Sequence, residues 1–369
     1  MRSSWFSKSL LLACSAFVPV LVMGLPVSAQ EGKGEKKPAA TKPAPKAAAE
    51  SEESIDDFLA IPDTDDVKEL SAYIDKVKTF RPKSRAQLMA FREKALPALK
   101  QAATKVVSLV KDKSSEEYKG AAFLLMSLTV QDINAAESRE AKEKIADEVK
   151  KFILESGKGE EEMGLAGMLC QTLEYSDVSD LAKDAYATMG KHFEDSKVEE
   201  VAEQAKMMVG ASRRLDLPGK PLKLAGTTFE GKPFDIASLK GKVVLVDFWA
   251  TWCGPCRAEH PNIKKNYDAY HSKGFEVVGV SIDRDRGALE EFMKEEGIAW
   301  TTLHEKDNDG KNDALDYYGI MGIPCVILIN QEGNVVSLNV RGPKLATELK
   351  KLLGEPDAAP AKPAGKAKS

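Results

Sequence analysis

Cys253 and Cys256 stand three residues apart, directly after the run Val243-Val244-Leu245-Val246-Asp247-Phe248-Trp249-Ala250-Thr251-Trp252. The apolar run has strand composition, and a helical pattern follows from about Pro255 to Ser272. Both thiols therefore fall at the first turn of a helix, where free N–H groups and the positive dipole end stabilise a thiolate. Cys253 is expected to be more acidic than a free thiol and nucleophilic at neutral pH. Cys256, one turn on and facing the same side, is expected to resolve a mixed disulfide. Zinc would want a second ligand pair, which is missing, and haem attachment would want His where Arg257 stands. The pair reads as a redox dithiol that closes to a Cys253–Cys256 disulfide.

Asp247 is a charge inside an apolar strand, two residues before Trp249, so burial is expected to raise its pKa. Glu259, one helical turn after Cys256, can face the dithiol or stand as a solvated helix-surface carboxylate. Trp252 offers a flat apolar contact beside the thiols. Cys170, in Leu169-Cys170-Gln171, reads as a buried core residue. His192, His260, His271 and His304 are scattered and suggest no metal cluster, so neither metal nor cofactor is expected. Glu305 to Gly310 resembles the start of a calcium loop with Asp316 at its twelfth position, but Glu at the first position and Asn312 at the eighth argue against it.

The elements that must hold these residues lie in the C-terminal part of the chain. Thr227 to Phe229 and Pro233 to Ile236 flank a Glu230-Gly231-Lys232 turn; strand 243–249, the helix and strand Phe275 to Ile282 follow. Helix 287–296, an extended piece near Trp300 to Leu303 and a helix near 312–318 come next. Val326 to Ile329 and Val335 to Val340 form a hairpin around Glu332-Gly333-Asn334, and helix Pro343 to Leu353 closes the region. Such alternation indicates a mixed sheet with helices on both faces.

Residues 217–355 resemble a thioredoxin-fold domain of the TlpA/ResA type. The features that carry the resemblance are Gly241-Lys242-Val243-Val244-Leu245-Val246, Asp247 through Cys256, Glu259 with Pro261, and Gly322-Ile323-Pro324. The resemblance implies that Asp247 exchanges protons with the second cysteine and that Glu259 tunes thiol acidity. It implies a cis proline at Pro324 opposite the dithiol, with the Ile323 backbone pairing with a substrate chain like an added strand. Trp252, Gly254 and Pro255 join this substrate-binding set. Cys325 departs from the Thr common at its position, and packing as a small buried hydrophobe is the favoured reading. The Gly-Pro between the cysteines resembles reducing members, whose reference potential is about −270 mV.

Upstream, every apolar pattern from Asp56 to Leu215 has a helical period. Thr64-Asp65-Asp66 and Ser84 cap helices running toward Phe80 and Val110, the second interrupted at Pro97. Ser114-Ser115-Glu116-Glu117, Ser138, Ser176-Asp177 and Ser196 start four more. Gly120–Met126 is echoed at Gly164–Cys170, and Lys150–Phe152 at Lys191–Phe193, at offsets of 44 and 41 residues. Two-helix repeats and an ordinary bundle both remain open.

Residues 1–29 have the order of a secretory signal: Arg2 and Lys8, then apolar Leu10 to Leu25, then Val27-Ser28-Ala29 before Gln30. An uncleaved anchor or lipidation at Cys14 would tether the chain instead. The 53 basic against 57 acidic residues give a net charge of −4 and argue against nucleic acid as a partner. The expected organisation is a signal peptide (1–29), a disordered linker (30–55), an all-helical domain (56–215), a thioredoxin-like domain (216–355) and a disordered tail (356–369). The expected function is an exported, periplasmic or otherwise extracytoplasmic reductase of protein disulfides, recharged by a membrane thiol-electron donor, with cytochrome c maturation one pathway. A peroxiredoxin-like peroxidase and a helical partner-binding module with an accessory redox domain are the alternatives; the partner of the helical part is unknown.

Overall fold

The computed structural model describes residues 54–304 and 313–357. The expected signal segment, nearly all of the linker, the calcium-like loop 305–310 and all but the first two residues of the tail lie outside them. Among the described residues no helix is long and apolar enough to cross a membrane. The chain forms two compact units that divide between Gln131 and Asp132.

The first unit is helical: α1 (Ile55–Leu59), α2 (Val67–Thr79), α3 (Arg85–Leu109) and α4 (Glu116–Ala135), the last reaching just past the division. Asp66 caps α2 by accepting from the Lys68 N–H, and Ser84 caps α3 by accepting from that of Gln87. Each satisfies a donor that the helix itself leaves free. Leu70, Ile74 and Val77 share a core with Leu99, Ala102, Ala103 and Val106. The expected interruption at Pro97 is absent, because α3 runs straight through it. Ala95 before it and Leu99 after it are both buried in that core, so packing holds the two halves in line despite the missing N–H. The five-residue α1 went unanticipated; its Leu59 carbonyl accepts from the Tyr73 hydroxyl at 2.7 Å.

The second unit opens with α5 (Arg139–Glu155), α6 (Glu160–Glu174), α7 (Ser179–Phe193) and α8 (Glu199–Leu215). Ser138 caps α5 as expected, but α7 and α8 start later than the serines proposed for them. Ser176 and Ser196 instead turn the incoming chain, each accepting from the N–H two residues on, at Val178 and Val198. Sequence patterns missed the start of α6 because Gly159 precedes it; the Glu162 carboxylate accepts from the Gly159 N–H at 3.1 Å. Helix α5 is tied to α7 by Arg139–Asp180 and Lys150–Asp184, and to the turn before α7 by Lys142–Asp177. Such pairs with exposed carboxylates set register more than they add stability.

A hairpin of β1 (Ala225–Thr227) and β2 (Pro233–Asp235) precedes a five-stranded sheet of order β5-β4-β3-β6-β7. Strands β3 (Val243–Trp249), β4 (Phe275–Ser281) and β5 (Thr301–Leu303) are parallel; β6 (Cys325–Ile329) and β7 (Val335–Ser337) form a hairpin whose first strand runs against β3. All seven residues of β3 are buried, the pattern of a central strand covered on both faces. Val244, Val246 and Phe248 face one core with Leu217, Leu222, Tyr318 and Ile320. Val243 and Leu245 face the other, with Ile263 of α9 (Gly254–Tyr270) and Leu345 and Leu349 of α12 (Pro343–Leu353). Helices α10 (Arg286–Glu296) and α11 (Asp313–Tyr317) complete the two covers. This is the expected thioredoxin-like mixed sheet preceded by an all-α region. Strand β7 stops short of Val340, which is buried beneath α12 instead of extending the sheet.

Helix α8 meets the segment after α11 through bare backbone. A Cβ on Gly319 would lie 2.0 Å from the Met207 carbonyl oxygen and 2.2 Å from the Ala211 nitrogen, and one on Gly210 would lie 2.5 Å from the Gly319 nitrogen. Gly319 also has φ +56°, a region disfavoured for other residues. Arg213 donates to the Tyr317 carbonyl and lies 4.1 Å over that ring. Gly319→Ala is therefore expected to lower stability by roughly 2–5 kcal/mol, from left-handed strain plus overpacking. Urea unfolding followed by circular dichroism checks this; an unchanged midpoint would count against so tight a contact.

Candidate active site

The N-terminus of α9 is built around the dithiol. Cys253 is the N-cap, its sulfur accepting from the Cys256 N–H at 3.2 Å, so a thiol takes the place a Ser or Asp usually fills. Gly254 and Pro255 open the helix, where a proline's missing N–H costs nothing. The two sulfurs are joined in a disulfide, with Cα atoms 5.3 Å apart. Both cysteines are largely buried, Cys253 at 6% exposure and Cys256 at 1%, whereas Trp252 beside them is 63% exposed. Trp249, Ala250, Leu289 and Phe292 back the pair, and Ile323 packs against the same cluster. The Ile323–Pro324 peptide bond is cis, and Pro324 leads directly into Cys325 at the start of β6.

Asp247 sits in β3 between Gly279 of β4 and Val326 of β6, 3% exposed. Alternation along the strand points it to the face that Val243 and Leu245 share with α9. Burial, with the nearby Glu259 charge as a second cause, pushes its pKa up to about 7. A carboxyl that gains and loses a proton near neutrality suits proton exchange. Glu259 is half-buried, and its Oε1 accepts from the Gly342 N–H at 2.8 Å and from the Asn262 side chain at 2.6 Å. Its carboxylate thus anchors α9 to Gly342, the N-cap of α12, where negative charge is favoured, while its field reaches Asp247.

Three features escaped sequence reading. Asp283 is 2% exposed and accepts from the Thr251 N–H (3.0 Å), the Thr251 hydroxyl (2.6 Å) and the Ser281 hydroxyl (2.9 Å). It fixes the turn that delivers Trp252 and Cys253; an acid two residues beyond a strand was its only local sign. His260 is buried on α9, its Nε2 3.9 Å from an Asp247 oxygen. The third is the Arg214–Glu174 ion pair, 2.8 Å and almost wholly buried, which faces the Cys325 thiol electrostatically. Cys325 packs on the core beneath β3, and burial pushes its pKa up to about 11, with Arg214 partly offsetting this. Such a thiol stays protonated at neutral pH and is a poor nucleophile. Cys170 is fully buried, as its sequence context suggested, and burial raises its pKa strongly.

The Redoxin family model matches residues 216–353. That segment is a Redoxin domain. Among curated relatives, a "Thiol-disulfide oxidoreductase ResA" of Bacillus subtilis is 36% identical over 108 residues, 29% of this chain and 58% of that protein. One of the same name from Halalkalibacterium halodurans is 33% identical over 113 residues, 31% of this chain and 62% of that protein. The chain thus spans about three fifths of the length of these relatives. A solved thioredoxin domain of a thiol-disulfide oxidoreductase from Bacteroides vulgatus is 34% identical, with a TM-score of 0.35, covering 37% of this chain and 97% of that one. The family match falls on the part of the chain that holds the dithiol, Asp247 and the cis proline.

The raised pKa of Asp247 makes a stability prediction for the Redoxin domain. Below the ordinary value of 3.8 the carboxyl is protonated both folded and unfolded; between 3.8 and about 7 only the folded chain keeps the proton. Stability therefore falls as pH rises through this window, and above it a buried charge opposes folding. Asp247→Asn, which never ionises, is expected to gain on the wild type by roughly 2–4 kcal/mol between pH 4 and pH 8. Urea unfolding of both disulfide forms at the two pH values measures the change.

Proposed function

We propose that the Redoxin domain carries out thiol–disulfide exchange and, in its dithiol form, reduces protein disulfides. The observation that carries this reading is the Cys253–Cys256 disulfide at the N-cap of α9 with the buried Asp247 carboxyl on the strand beneath it. Reduced Cys253 holds the N-cap position, where helix N–H groups and dipole favour the thiolate. Its sulfur attacks one sulfur of a substrate disulfide, breaking that bond and forming a mixed disulfide. Cys256 gives its proton to the Asp247 carboxylate, and its sulfur attacks Cys253. The Cys253–Cys256 bond forms, and the substrate's second thiol leaves reduced.

Trp252 and the Ile323–Pro324 segment supply an exposed apolar contact and a backbone edge for the substrate chain. A disulfide-bearing protein is the substrate class, and a membrane thiol-electron donor returns the pair to its dithiol form. The signal-like N-terminus supports an extracytoplasmic location. Cytochrome c maturation is the pathway that the TlpA/ResA resemblance favours. In insulin reduction driven by dithiothreitol, Cys253→Ser is expected to fall to the uncatalysed rate; mixed with insulin after removal of dithiothreitol, reduced Cys256→Ser is expected to accumulate a mixed disulfide visible in intact-mass spectra. The equilibrium potential of the pair is expected near the reducing reference of about −270 mV. A value near that of the strong oxidants, about −120 mV, would reverse the proposed direction.

A further inference from the structure

His260 occupies a place where a polar ring is costly. It is 3% exposed, its ring 4.6 Å from that of Trp249 edge-on, 5.7 Å from Phe292 and 6.4 Å from Trp300. Neither ring nitrogen has a hydrogen-bond partner. A buried donor or acceptor left unpaired costs about 1–3 kcal/mol, so a Phe or Leu would fill this aromatic box at lower cost. The acid on the neighbouring strand is Asp247, whose Oδ2 lies 3.9 Å from Nε2. Glu296 at the end of α10 and Arg257 and Glu259 on α9 also act on the imidazole electrostatically. Burial lowers its pKa, so the resting ring is neutral, with one nitrogen free to take a proton.

We propose that His260 is the proton partner of Asp247, drawing on the exchange reaction proposed above. When Cys256 resolves a mixed disulfide, its proton goes to the Asp247 carboxylate and from there to the His260 imidazole. A carboxylate–imidazolium pair results, in which the attraction across 3.9 Å offsets the burial that would keep each group neutral on its own. The Cys256 sulfur meanwhile bonds to the Cys253 sulfur, the old mixed disulfide breaks, and the substrate sulfur leaves with the bonding pair and takes a proton from water. In the reverse direction the imidazolium returns its proton through Asp247 to the leaving Cys256 thiolate. The pair shields the buried carboxylate from standing as a lone charge, and the two groups titrate as a unit. His260 acts through Asp247 and touches no substrate.

The test follows resolution directly. Cys253 is loaded with 5-thio-2-nitrobenzoate, and release of the coloured thiolate by Cys256 is timed by stopped flow from pH 5 to 9 in the full chain. Without the imidazole the Asp247 carboxylate loses its partner, so His260→Phe is expected to raise the pH midpoint of release by about one unit, a tenfold slowing below it. His260→Gln donates a hydrogen bond but takes no proton, and is expected to remain shifted; a midpoint restored by Gln would overturn the proton-acceptor role. In an Asp247→Asn background His260→Phe should change nothing further. An unmoved midpoint in folded His260→Phe, or an equal shift without Asp247, defeats the proposal; should Phe not fold, an unmoved midpoint in the Gln variant defeats it in the same way. Failure of the exchange reading looks different: wild type and Cys256→Ser would then release the thiolate equally slowly.

Discussion

Burial of one carboxyl in the middle of the central strand is the constraint on which the rest of the site depends. β3 is covered on both faces and Asp247 is almost wholly buried, so its ionisation is governed by what surrounds it. A lone carboxylate in such a place is strongly disfavoured. The strand tolerates it because the group can hold a proton at neutral pH. A fully apolar β3 would avoid that cost; under the exchange reaction proposed above it would also leave Cys256 without Asp247 as its proton acceptor.

Precision at the dithiol comes from contacts far apart in the chain. Asp283, 32 residues beyond Thr251, holds the turn before Cys253. Glu259, 83 residues before Gly342, locks the first turns of α9 against the start of α12. On the opposite side α8 presses its backbone onto Gly319, a few residues ahead of the cis proline. Three separate attachments thus tie the cysteine turn, its helix and the proline segment to the surrounding fold.

Much of this was legible from local patterns. An apolar run ending in Cys253-Gly254-Pro255-Cys256, with Asp247 set inside it, declares strand, turn and helix within a dozen residues, and Ile323-Pro324 marks the opposing segment. Those signals are short-range, and so are the Asp66, Ser84 and Ser138 caps. What sequence reading missed was tertiary or atypical. Helix α6 starts after Gly159, with its Glu162 side chain standing in for the usual cap, and α3 passes through Pro97 because burial on both sides outweighs one lost hydrogen bond. The roles of Asp283, His260 and Arg214 depend on neighbours from other elements. His260 in particular reads in sequence as one of four scattered histidines; only its enclosure by Trp249, Phe292 and Trp300 distinguishes it.

The Gly210–Gly319 contact also bears on what counts as a unit of this protein. The Redoxin match begins at residue 216, just past α8, whereas the compact body that contains it begins at Asp132. A fragment cut at the family border would expose the backbone ridge of Gly319 and the Cys325 side of the sheet to water, where α8 and its Arg214 now lie. The segment that recurs among relatives and the segment that is physically self-contained have different lengths. Helices α5 to α8 behave as a built-in splint for the Redoxin domain, and any homologue lacking them must cover that flank by some other means.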